Sequence, residues 1–217
     1  LLVVAVFLTM PSIEAISTLS TPQNALILSK VQSALPRVES IGVTQTIEQA
    51  SAIGYKLKLS YGENKEESDP EEVFLKQVTA SKYVPSKKDW PDLRRALLYA
   101  RTEARFYHEF APLLQQNNNF NALPNVYFAS YNLEGWIQED ETGHLHEADP
   151  SIDKDKLLDG DNRGGTLILE CISSDTHYQD SPLTVDQCKL ALTGVARLHA
   201  AAWEDQKILA LAEKRLS

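Results

Sequence analysis

The sequence predicts an α+β fold, and three observations lead there. Three β-rich segments follow one another between residues 41 and 79 with only loops between them. A single long amphipathic helix comes next, over Asp89–Gln115. A continuous apolar run, Thr166–Ile172, then reads as a buried strand. Strands that segregate from the one crossing helix make an antiparallel sheet the expected core.

Composition supports such a fold and excludes several function classes. A chain of 217 residues with 43% hydrophobic content can bury a core, so a wholly disordered chain is excluded. A net charge of −9 without a basic stripe argues against a non-specific nucleic-acid binder. Two cysteines rule out a disulfide scaffold; Cys171 and Cys188 are not spaced as a zinc site, and two buried thiols are expected. The longest apolar run, Leu1–Leu8, falls short of the roughly 20 residues a bilayer requires, so no transmembrane span is expected.

Leu1–Leu8 followed by Thr9-Met10-Pro11-Ser12 looks like the apolar part and end of a secretory signal, with Ala15-Ile16-Ser17 offering small residues for cleavage. A buried strand is the other reading. Residues 1–17 are thus a candidate targeting segment, which would send the chain to the secretory route or a complex plastid; without it a cytoplasmic location is expected. Residues 18–37 read as a linker with a short helix at Asn24–Ala34, its stripe being Ala25, Leu28 and Val31. The globular pattern is expected from Val38.

Strands are predicted at Ile41–Thr46, Gly54–Tyr61 and Glu72–Thr79. In the second, Tyr55, Leu57 and Leu59 alternate with Lys56, Lys58 and Ser60. Gly62–Glu72 reads as an acidic, solvated loop. The long helix has Asp89 as its N-cap and Pro91 in its first turn. Its stripe is Leu93, Leu97, Ala100, Ala104, Tyr107, Ala111 and Leu114. A strand at Val126–Tyr131 follows, and residues 132–164 read as a hairpin with a long insertion. A further helix starts at Thr184 or Asp186, with Cys188, Ala191, Leu192, Val195, Leu198 and Ala202 on one face, and Glu204–Leu216 continues helical.

Lys76 sits mid-strand on the face it shares with Phe74 and Val78, where an ammonium needs a partner or a path to water. Glu103 lies at the border of the helix stripe, three residues after Ala100 and four before Tyr107, within reach of Arg101 or Arg105 as ordinary partners. Glu170, Cys171 and Ile172 end the apolar run, which taken alone is a plain core strand.

In order, these segments resemble the aminoglycoside phosphotransferase and choline-kinase-like superfamily, and within it the ecdysteroid-kinase-like (CHK-like) small-molecule kinases. Thr102-Glu103-Ala104-Arg105-Phe106-Tyr107 looks like the family's E-x-x-F-Y helix. Pro70-Glu71-Glu72-Val73-Phe74-Leu75-Lys76 resembles its lysine strand, and Thr166-Leu167-Ile168-Leu169-Glu170 its hinge. Leu198-His199-Ala200-Ala201-Ala202-Trp203 is similar to the end of the first large-lobe helix. The resemblance covers roughly residues 40–205.

The resemblance implies a protein-kinase-like fold: an antiparallel five-stranded N-lobe with one long helix over 38–172, then the start of a helical C-lobe over 173–217. It implies transfer of a phosphoryl group from ATP, with Mg²⁺, to the hydroxyl of an unknown small-molecule acceptor. Lys76 and Glu103 would hold the phosphates as an ion pair, and Glu170 and Ile172 would bond the adenine edge through their backbone. His199 becomes a packing and helix-end residue. The phosphate-covering loop falls at Thr46–Ile53, where Ser51 is a candidate donor. The family's H-G-D-x-x-x-x-N loop has no counterpart. Asp159-Gly160-Asp161-Asn162 precedes the hinge, and His177-Tyr178-Gln179-Asp180 precedes the helix. The chain is therefore expected to be a piece lacking its catalytic loop and metal ligands, inactive alone. A pseudokinase or nucleotide-binding module without transfer, and a secreted interaction domain, are the alternatives.

Overall fold

A computed structural model describes residues 21–48, 52–79, 90–118, 123–134, 137–139, 145–147, 163–173 and 182–216. The elements are α1 (Thr21–Ala34), β1 (Ser40–Glu48), β2 (Ile53–Ser60), β3 (Glu72–Thr79), α2 (Trp90–Arg105), α3 (Ala111–Asn118), β4 (Val126–Asn132), β5 (Ile137–Glu139), β6 (Leu145–Glu147), β7 (Gly164–Glu170), α4 (Val185–Ala202) and α5 (Gln206–Arg215). The architecture is α+β. Five antiparallel strands form one sheet in the order β1-β2-β3-β7-β4, while β5 and β6 pair as a small hairpin. The meander β1-β2-β3 follows from its short connections, and the long excursion between β4 and β7 returns beside both β3 and β4.

Strand alternation divides the core between two faces. On one, Tyr55, Leu57, Leu59, Val73, Leu75 and Ile168 pack against Ile27 and Val31 of α1. On the other, Leu167 and Leu169 meet Ala104, Tyr107 and Ala111, and Val78 meets Ala52 and Ala100. The helix stripe from Leu97 to Leu114 is buried at each of its expected positions. Leu93 lies where side chains are not described. Between α2 and α3 the helix makes a π-helical turn, Phe106–Phe110, which turns both Tyr107 and Phe110 inward.

Several expectations change. The core begins before Val38: α1 contributes Ile27, 1% exposed, and Val31, 0% exposed, while the expected stripe residue Ala25 is exposed. Gly62–Glu72 is not wholly solvated. It closes over Asp69, which accepts from Arg37 Nε at 3.1 Å, and Tyr61 donates its hydroxyl to the Pro70 carbonyl at 2.8 Å. The thiols are not both buried, since Cys171 is half-buried and Cys188 exposed. On α4 the first half of the expected apolar face meets solvent, with Cys188 and Ala191 exposed and Leu192 67% exposed, while Val195 is half-buried. Only its last turn, through Leu198, Ala201 and Ala202, reaches the Phe110–Leu114–Ile208 cluster. The candidate signal at 1–17, Asp89, Ser51, the Asp159–Asn162 turn and His177–Asp180 lie outside the described residues. Among the described residues no helix is long and apolar enough to cross a membrane.

Candidate functional site

Lys76 leaves β3 between Gly54 of β2 and Leu167 of β7, its register partners, on the face that α2 covers. Glu103 points down from α2 to the same spot. Lys76 Nζ donates to both carboxylate oxygens of Glu103 at 2.8 Å. The side chains are 21% and 8% exposed, so the pair is largely desolvated while the lysine side chain keeps partial access to solvent. Burial of this kind holds a pair only when the geometry is good, and the fork of two equal contacts provides it.

Glu103 has not paired with Arg101 or Arg105. Arg105, 1% exposed, donates from Nε and Nη2 to the Tyr131 hydroxyl at 3.1 and 2.9 Å, and from Nη1 to the Arg215 carbonyl at 2.7 Å. Burial first, then the neighbouring Arg105 charge, lowers the pKa of Arg101. Tyr107, one turn on from Glu103, has its phenol pushed up to about 12, by burial first and by the Glu103 carboxylate second.

The ground beyond Lys76 on this face is apolar and then open. Phe74, 5% exposed, lies two residues before Lys76 and is the register partner of Leu169. Its ring fits over Gly54, where an added Cβ would come within 2.6 Å of the ring edge. Lys56, opposite Phe74, adds a second cation to the face. Its charge pulls against the burial that raises the Cys171 thiol pKa. Glu170 and Ile172 stand apart from the ion pair, roughly 10 Å or more along β7 at about 3.3 Å per residue. Glu170 closes the strand: its N–H donates to the Asn125 carbonyl at 2.8 Å and its carboxylate accepts from Asn125 N–H at 3.0 Å. That N–H is therefore engaged and is not available to a ligand. Ile172 is 38% exposed and makes no hydrogen bond among the described residues. His199 lies in the last turn of α4 as expected, but it is exposed rather than packed.

Sequence reasoning placed Tyr107 one turn from Glu103 but missed the network that ties Arg105 to Tyr131 and α5, which joins residues 26 and 110 positions apart and leaves no local pattern. No group of three or more His, Cys, Asp and Glu side chains able to hold a metal occurs among the described residues. No family model and no curated protein matches the chain.

Proposed function

We propose that this chain is the nucleotide-holding lobe of an ATP-dependent phosphotransferase that acts on a small-molecule hydroxyl. The observation that carries it is the Lys76–Glu103 ion pair, forked at 2.8 Å, with the lysine side chain 21% exposed. A cation fixed this way suits phosphate oxygens, because phosphoryl transfer depends chiefly on positioning and charge stabilisation. Lys76 would take the α- and β-phosphates, with Glu103 fixing its direction. Phe74 and Leu169 would line the base, and backbone groups at Glu170–Ile172 its edge, with Ile172 supplying the donor. The kinase-like fold belongs to the same proposal, supported by the five-stranded sheet and the helix carrying Glu103. ATP supplies the transferable phosphoryl group, and Mg²⁺ would neutralise its charge.

A nucleotide-binding module without transfer rests on the same pair. The two readings share a first test. ATP with Mg²⁺ at about 100 times its dissociation constant stabilises a native site by about 2.7 kcal/mol. In a chain of this size that raises the melting temperature by about 5–10 °C. Lys76→Ala is expected to abolish the shift. An unchanged melting temperature at millimolar ATP, or an equal rise in the variant, removes both readings. A rise that depends on Lys76, followed by an assay of γ-phosphoryl transfer to amino-alcohols and aminoglycosides, separates them.

A further inference from the structure

The face of the sheet opposite Lys76 holds a second polar feature. Where β3 ends and β7 begins, α1 and the strand ends enclose a cleft of about 70 Å³. Its polar wall consists of Lys30 from α1, Thr79 from β3, Ser130 and Asn132 from β4, and Arg163 and Thr166 at the start of β7. Among the described residues no carboxylate lines it. Gly164 and Gly165 contribute backbone to the wall, the side-chain position of Gly165 facing Ala100 of α2 on the other side of the sheet. At Gly164, with φ of 129°, a Cβ would lie 1.7 Å from the Val78 carbonyl oxygen, so glycine is required there. Gln77, register partner of Thr166 and on the same face, buries an amide nitrogen that has no hydrogen-bond partner among the described residues.

We propose that this cleft binds a compact phosphate-type oxyanion, at a site distinct from Lys76. Two cations and four neutral polar side chains around one space suit an anion rich in acceptors, and the missing carboxylate disfavours a cation. The size agrees: a water needs about 10–15 Å³ of such space, so the cleft holds several waters or one tetrahedral oxyanion. Lys30 supplies a point charge and Arg163 a planar fork, the usual division of labour around phosphate. Both already take part in interactions within the protein, so the anion competes with those interactions rather than filling a vacancy.

Amide NMR of the whole chain, titrated at fixed ionic strength with inorganic phosphate and separately with glycerol 1-phosphate, tests this. Saturable shifts are expected at Gly164, Gly165 and Thr166. Affinity should fall by about tenfold in Lys30→Met and in Arg163→Met, the loss of one charge-assisted contact. It should be unchanged in Lys56→Met, which lies on the other face. Tighter binding of inorganic phosphate identifies a free ion, and tighter binding of the ester a phosphomonoester. Thr166→Ala leaves both charges in place and should weaken binding severalfold, which keeps the test open if a charge variant does not fold. Shifts that do not saturate, that centre on Lys76, or that survive all three substitutions overturn the proposal.

Discussion

Removing Lys76 would leave Glu103, with its side chain 8% exposed, as a carboxylate facing the underside of a sheet. An uncompensated charge in such a place costs more than the pair contributes when intact. Lys76→Met is therefore expected to cost about 2–3 kcal/mol in urea unfolding, allowing for the partial exposure of the lysine. The double variant Lys76→Met/Glu103→Leu should recover most of that loss, because it removes the stranded charge as well. Strictly additive losses would mean that the two side chains are not energetically coupled. At this scale residue spacing reported faces but not partners; the Lys76–Glu103 pairing was legible only through the family resemblance. Alternation along β3 placed Lys76 with Phe74 and Val78, and the helix stripe placed Glu103 at its border. Arg101 and Arg105 stood equally close in sequence to Glu103. What draws Arg105 away is Tyr131 and the Arg215 carbonyl, which are distant along the chain.

At the scale of elements, α1 and α4 show what periodicity can and cannot report. Residues 24–34 carry apolar side chains around much of the helix, so the pattern does not single out one face. The sheet does so by burying Ile27 and Val31 and leaving Leu26 39% exposed. Ile27→Ala should cost about 3 kcal/mol through lost burial and a residual cavity, and Leu26→Ala no more than about 0.5 kcal/mol. Chemical denaturation of the two variants checks this; equal losses would show α1 to be a tether rather than part of the core. On α4 the period is clear and its N-terminus well made, with Thr184 and Gln187 forming a reciprocal capping box. A period states which face is apolar, not whether anything lies on it. From Ala100 to Leu114 the stripe through α2 and α3 was read correctly because its positions meet the sheet or α5. The π-turn within it follows from how Tyr107 and Phe110 both turn inward, a demand of tertiary packing rather than of local sequence.

Across the whole molecule, the described contacts that join the helical pair α4–α5 to the sheet body include a small apolar cluster, the Arg105 hydrogen bond to the Arg215 carbonyl and an ion pair. Phe110 and Leu114 meet Ile208, and Arg215 grips Glu109 from Nε and Nη2, with contacts at 3.1, 3.0 and 2.7 Å. The Arg215 hydrogen bonds hold the Glu109 carboxyl below its ordinary value of 4.5. The unfolded chain therefore binds this proton at a higher pH than the folded one does. Stability from the pair is complete well above pH 4.5 and is lost as pH falls through the lowered pKa of Glu109. Hydrogen exchange can locate that loss. Between about pH 5 and pH 3, protection of the α5 amides from Lys207 to Ala212 should fall before that of β3 and β7, because the helix pair opens as its own unit. In Glu109→Gln the same amides should be less protected at pH 6 and should lose less protection on acidification than in the parent, the Asp205 cap on Lys207 and Ile208 being common to both proteins. Arg37–Asp69, whose carboxyl is also held low by its arginine, lies on the sheet side, and its loss in acid would weaken β2 and β3 rather than α5. If α5 and the sheet lose protection together in both proteins, the chain unfolds as one cooperative body, and the ion pair does not act as a separate latch between its parts.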